Sequence, residues 1–94
     1  MQISQQDNGK QGKFFVEVDG KQEALMTYVN DGQNIIIEHT EVNDALKGQG
    51  VGYKLVDAAV DFARIKGIKI NPLCPFANAV FKKKSQQYSD VLYK

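Results

Sequence analysis

Two Asp-Gly dipeptides, Asp19-Gly20 and Asp31-Gly32, divide the first half of this chain into three short runs that must fold back on one another. Asp-Gly between alternating runs signals a tight hairpin, because glycine accepts the positive φ that a primed turn requires. From Lys13 to Asp19, Phe14, Val16 and Val18 alternate with Phe15, Glu17 and Asp19, the period-two pattern of a half-buried strand. Residues 22–29 pair back, with Ala24, Met26 and Tyr28 on one face and Leu25, Thr27 and Val29 on the other. Asn34 to Val42 makes a third strand. Its Ile35, Ile36 and Ile37 favour extended backbone, and Glu38, His39, Thr40 and Glu41 carry polar groups to its far end. The dozen residues before Lys13 are rich in Gln, Asn, Gly and Ser, bury no face, and read as a loose lead-in without a function.

After Gly52 the period changes. Val51, Leu55, Ala58, Ala59, Phe62 and Ala63 recur at three and four residues with Lys54, Asp57, Asp61 and Arg64 opposite, which predicts an amphipathic helix ending at Gly67. Ile68 to Asn71 is a short fourth strand, and the helical link from the third is long enough for a parallel crossover. Pro72 and Pro75 interrupt the pattern, and a second short helix is expected from about Phe76 to Lys84, with Ala77, Val80 and Phe81 inward. Lys82, Lys83 and Lys84 sit at its end, where cations suit the helix dipole. The order β-β-β-α-β-α predicts an α/β (α+β) fold, a mixed and largely antiparallel sheet with helices packed on it.

At 94 residues with no compositional break, residues 1–94 read as one domain. Twelve basic and eleven acidic residues leave a net charge of +1, which gives no electrostatic drive toward nucleic acid or an anionic membrane. No apolar run approaches the roughly 18 residues of a membrane span, and the first residues lack a basic start and an apolar core, so the expected location is the cytoplasm. A single cysteine, Cys74, and a single histidine, His39, exclude an internal disulfide and leave too few soft ligands for a structural zinc site. No metal is expected.

Lys47-Gly48-Gln49-Gly50-Val51-Gly52 links the third strand to the first helix. Three alternating glycines let backbone N–H groups approach a ligand, and the helix N-terminus adds positive potential. Two readings of the loop stand on these residues: a pyrophosphate cradle helped by Lys47, or a tight connection in which glycine only relieves sterics. A Walker loop is excluded because Gly52 is followed by Tyr53-Lys54, and a dinucleotide fingerprint because the sixth place from Gly48 is Tyr53.

The spacing Lys47-x-x-Gly50-x-Gly52 resembles the Arg/Gln-x-x-Gly-x-Gly/Ala signature of the GNAT acetyltransferase superfamily, with Lys47 in place of Arg or Gln. Together with His39-Thr40-Glu41-Val42, Leu46 to Val56 and Pro72-Leu73-Cys74-Pro75-Phe76, the chain is similar over roughly residues 13–92 to short, single-domain GNAT-like proteins. The resemblance implies acetyl-CoA or coenzyme A as cofactor. Its pyrophosphate would lie on the amides of Lys47, Gly48, Gln49, Gly50, Val51, Gly52 and Tyr53, and its pantetheine arm would pair with backbone at Glu41 and Val42. Asn71 is a further candidate for the arm. The expected partner is an amine acceptor, and an exposed edge of the hairpin sheet leaves the expectation of a monomer or weak homodimer. Larger members add an N-terminal helical segment that shapes the acceptor groove, whereas these hairpins start by about Lys13, which predicts a reduced or open acceptor site.

Three residues are candidates for the chemistry. Cys74 is fixed between two prolines, and the helix starting near Phe76 is placed to acidify its thiol; it either accepts acetyl or lines the pocket as a small hydrophobe. His39 is expected as general base for the amine, or as partner of Cys74 if the strand ends adjoin. Glu41 is the rival base. The expected activity is N-acetyl transfer from acetyl-CoA to an amine. The alternatives are a coenzyme-A-binding module without efficient transfer and a protein-interaction domain.

Overall fold

The computed structural model describes residues 2–93. Five strands lie in the order in which they occur: β1 (Ser4–Asp7), β2 (Gln11–Val18), β3 (Lys21–Asn30), β4 (Asn34–Val42) and β5 (Lys69–Pro72). The first four are antiparallel, and β5 runs parallel to β4 after the crossover helix α1 (Val51–Lys66). Two shorter helices follow, α2 (Pro75–Lys83) and α3 (Ser85–Tyr88). This is the mixed, largely antiparallel α/β sheet expected from the order of periods.

The turns form for the reasons the dipeptides give. Asp19 and Gly20 take φ of 53° and 80°, the pair of positive values of a primed turn, and Gly32 takes 100°. Phe14, Val16, Ala24, Met26, Tyr28, Ile35, Ile37 and Ile70 turn one sheet face to a single core, closed by Leu55, Val56, Ala59, Val60 and Ala63 of α1 and by Ala77, Val80 and Phe81 of α2. Val18 departs from the expected alternation and is exposed, because a register shift after Val16 breaks the pairing beside the hairpin. Gly67 ends α1 in left-handed geometry, and Ile68 N–H bonds back to Ala63 O.

The first dozen residues correct the expectation of a loose lead-in. Ser4–Asp7 form an edge strand against Gly12–Phe15. Its turn is held by Asp7 Oδ1, which accepts from Gly9 N–H at 2.6 Å, and by Asn8 Oδ1, which accepts from Lys10 and Gln11. The strand buries no face of its own. It is tied through the Tyr28 hydroxyl, which accepts from Gln5 Nε2 at 2.7 Å and donates to Asp7 Oδ2 at 2.6 Å. The other end of the chain was also not foreseen as regular structure: α3 and a bridge from Leu92 to Ile70 extend the architecture beyond α2.

Candidate active site

A bulge in β4 decides what the site contains. Thr27 pairs with His39 but Tyr28 pairs with Ile37, so Glu38 is an extra residue with no partner on β3. Without the bulge, with Glu38 paired opposite Thr27, His39 would follow Ile35 and Ile37 onto the core face. With it, Thr40 and Val42 share the face of Met26 and Ala24, and His39 and Glu41 turn to the opposite, uncovered face.

The same stretch is where β5 leaves β4. Their last parallel pair is Ile37 with Pro72, and Cys74 N–H then bonds to Ile37 O at 2.8 Å. From Glu38 onward the edge of β4 away from β3 has no strand beside it. Asn43 N–H points to Glu23 O of β3, whereas Thr40 N–H points to the Cys74 sulfur. The two-residue period of a strand therefore turns the backbone groups of Val42 to the open edge and commits those of Glu41 to the ladder with β3.

Cys74 sits in this gap as the residue that caps α2, with Pro75 following it, and is buried. Its Sγ lies 3.4 Å from Thr40 Oγ1. Burial pushes the thiol up, but the Thr40 hydroxyl and the N–H groups of Ala77, Phe76 and Thr40 outweigh it, so the thiol lies below its ordinary value. Pro75 suits this place: it forfeits no hydrogen bond in the first turn and leaves the next two amides directed at the sulfur.

On the other side of the gap, the glycine loop delivers α1. Gly48 and Gly50 both hold positive φ, 81° and 68°, and Gly50 is the left-handed cap of the helix. The first helical bond is Lys54 N–H to Gly50 O, so the amides of Gly48, Gln49, Gly50, Val51, Gly52 and Tyr53 have no acceptor among the described residues. Six consecutive donors at a helix N-terminus are an anion site in waiting. They open on a cleft of about 370 Å³ floored by Thr40, Val42, Leu46 and Phe76. Phe76 lies against Gly52 so closely that a Cβ there would fall 2.5 Å from its Cζ. Two hollows of about 450 and 700 Å³ lie around Asp7, away from these amides and from Cys74.

The expected site residues are thus split. Lys47, Gly48, Gly50, Val51, Gly52, Tyr53 and Val42 line the cleft, and Gln49 lies exposed in the loop between them. Lys47 adds less to the cradle than expected, because its ammonium is paired with Asp44 at 2.8 Å. His39 does not reach Cys74: it is exposed and 3.6 Å from Glu41, on the other face. Asn71 pairs with Ile36 and shares that face, outside the cleft lining. Thr40 and Phe76 are the functional candidates that sequence reasoning overlooked. Thr40 was hidden by an unrecognised bulge, and Phe76 by the absence of any sequence signal for its contact with Gly52.

Comparisons with known proteins give the family and the fold. Residues 13–91 match the family model of the GCN5-related N-acetyl-transferase, and the chain belongs to that family. It is 32% identical over 74 residues to Protein NATD1 of Gallus gallus, a match covering 77% of this chain. The match spans 67% of the chicken protein, and the corresponding match to Mus musculus NATD1 spans 58% of that protein. A GCN5-like protein of Staphylococcus aureus solved by NMR is similar at 38% identity and a TM-score of 0.75, covering 98% of this chain and 87% of its own. The aminoglycoside N-acetyltransferase AAC(6')-Iy in complex with CoA shares the fold alone, with a TM-score of 0.65 at 12% identity, covering 87% of this chain and 88% of its own. No helix among the described residues is long and apolar enough to cross a membrane, and they hold no metal-binding cluster of His, Cys, Asp and Glu.

Proposed function

We propose that this protein is an acetyl-CoA-dependent N-acetyltransferase in which Cys74 carries the acetyl group to an amine. What supports the cofactor is the run of six unpaired amides from Gly48 to Tyr53 opening on the cleft, which suits a pyrophosphate. The pantetheine arm would then follow the open edge of β4, taking the place of the missing strand at Val42, and bring the thioester to the gap where Cys74 lies. The site of action is taken to be the cytoplasm.

The observation that carries the covalent step is the acidified thiol in that gap. The Cys74 thiolate attacks the acetyl carbonyl, the bond from carbon to the coenzyme sulfur breaks, and coenzyme A leaves as a thiolate that takes up a proton. As Sγ gives up its charge to the new bond, the Phe76 and Ala77 N–H groups that faced it are released toward the developing oxyanion. The amine nitrogen then reaches the gap from the open sheet face and attacks the acetyl-Cys74 thioester, the bond from carbon to Sγ breaks, and the amine proton passes to solvent through His39 or Glu41, which stand on that face. Burial of Cys74 favours a second reading, direct transfer from acetyl-CoA with Cys74 only lining the pocket.

Calorimetric titration with acetyl-CoA and with CoA, followed by intact mass on the same samples, tests both. Saturable binding lost in Gly50→Glu is expected, with one added acetyl group that is absent in Cys74→Ala. Amine acetylation without any acetyl-enzyme would establish direct transfer. Binding of neither ligand would overturn the cofactor reading.

A further inference from the structure

The open face of the sheet carries a strip whose two ends differ in charge. Glu41 pairs with Leu25 and Leu25 with Phe15, while His39 pairs with Thr27 and Thr27 with Lys13, so two cross-strand rows run side by side from β4 to β2. At the β4 end stand the Glu41 carboxylate and the His39 imidazole, 3.6 Å apart and both exposed. Between the ends Leu25 is half-buried, and Phe15 is only 8% exposed although α1 and α2 pack on the opposite face. At the β2 end Lys13 covers the Phe15 ring, with Nζ 4.7 Å from its centroid and donating to Gln22 Oε1 at 2.6 Å.

Lys13 is held in place without being neutralised. An amide oxygen occupies one of the three donors of its ammonium, the ring beneath offsets only part of its charge, and no carboxylate lies within ion-pair distance of it among the described residues. The amide nitrogen of Gln22 is a second donor at the same spot. Neighbouring strands are about 4.8 Å apart, which sets β2 roughly 10 Å from β4 with apolar surface between them. A simple alkylamine drawn to Glu41 would leave the Lys13 charge unmet, and a diamine would bring a second cation toward it.

We infer that the acceptor is an ω-amino carboxylate, an aliphatic stem with an amine at one end for the gap and a carboxylate at the other held by Lys13. The inference rests on the acetyltransferase reading and deepens it by naming the acceptor class. The stem lies across Leu25. Its ammonium gives one proton to His39 beside Glu41, the nitrogen bonds to the acetyl carbon of acetyl-Cys74, the bond from carbon to Sγ breaks, and the second proton leaves to solvent as Cys74 returns to a thiolate. An amino group one carbon from its carboxylate cannot span from Lys13 to the gap, so a free amino acid qualifies only through an amine at the end of its side chain.

The test measures acetyl transfer from acetyl-CoA to ω-aminohexanoate, hexylamine and diaminohexane, using the full chain as wild type, Lys13→Gln, Lys13→Arg and Lys10→Gln; equal melting temperatures confirm intact folds. The wild type is expected to show a kcat/KM for aminohexanoate about fivefold above that for hexylamine, and to use diaminohexane least. Lys13→Gln should raise KM for aminohexanoate about fivefold with kcat unchanged and leave hexylamine as it was. Lys13→Arg should keep the preference, and Lys10→Gln, altered in the turn before β2, should behave as wild type. Equal use of the three amines by the wild type, a Lys13→Gln variant that slows all three alike, or transfer to none of them by a protein that binds acetyl-CoA overturns the acceptor class and leaves the cofactor reading intact. Failure to bind acetyl-CoA overturns the acetyltransferase reading itself, and the acceptor class with it.

Discussion

Thr40 and Cys74 meet across the opening between β4 and β5, hydroxyl to thiol at 3.4 Å, although 34 positions separate them in the chain. The contact depends on the extra residue at Glu38, since only the shifted register turns Thr40 toward the core side of the strand. Replacing Thr40 by valine removes one of the donors that favour the thiolate while keeping the shape of the side chain. The apparent pKa of Cys74, read from the pH dependence of its iodoacetamide alkylation, is expected to rise, with slower alkylation at neutral pH. An unchanged profile would show that the hydroxyl does not stabilise the thiolate.

His39→Ala makes the complementary prediction. His39 is exposed and faces away from the cleft, so acetyl-CoA affinity and the rate of Cys74 acetylation should stay within about twofold of wild type. Transfer from acetyl-Cys74 to the amine should slow, most visibly in its pH profile. Loss of cofactor affinity in this variant would place His39 in the cleft after all.

Gly52 is needed for space. A methyl group there meets the Phe76 ring at the junction of the two helices, and the ring must move. Gly52→Ala is expected to destabilise the fold by about 1–3 kcal/mol in urea unfolding and to weaken CoA binding, because Phe76 floors the cleft. Gly52→Ala combined with Phe76→Leu should recover part of the stability, which separates the ring contact from a general intolerance.

The clasp on β1 has a pH signature at each end of the scale. The hydrogen bond from Tyr28, then that from Gly9 N–H, holds the Asp7 carboxyl below its usual range. Its contribution to stability is therefore present above the unfolded carboxylate value and is lost as pH falls through the lower folded value. Burial, then the bond to Asp7, pushes Tyr28 up to about 12 from 10.0. That contribution is complete below pH 10.0 and disappears as pH rises toward about 12. Tyr28→Phe should make both limbs of a stability–pH curve shallower; the alkaline limb should persist in part, because Tyr88, buried and bonded to Asp57, is shifted in the same direction.

Hairpins, crossover helix and glycine loop were legible because each rests on local chemistry: Asp-Gly turns, a change of period after Gly52, and glycines where positive φ is required. β1 was not, since its four residues bury no face and its stability comes from backbone pairing and one distant phenol. Its turn did leave a trace, because Asn8-Gly9 is the same kind of hairpin dipeptide as the two that were used. The site was legible only in outline. Cys74 could be placed at the start of a helix from its flanking prolines, but whether position 39 or 40 faced it depended on strand register, which no local signal fixes.

Position 38 acts on the chemistry without taking part in it. If Glu38 instead paired opposite Thr27 in regular alternation, every side chain from 39 to 42 would exchange sides: an imidazole would stand where the Thr40 hydroxyl now meets the thiol, and the open sheet face would receive the threonine. Deleting residue 38 would not do this, because His39 would then follow Ile37 directly and keep its place opposite Thr27. In this architecture a bulge gained or lost in one strand, with no change in the residues themselves, decides which functional groups meet the gap while the glycine loop stays as it is.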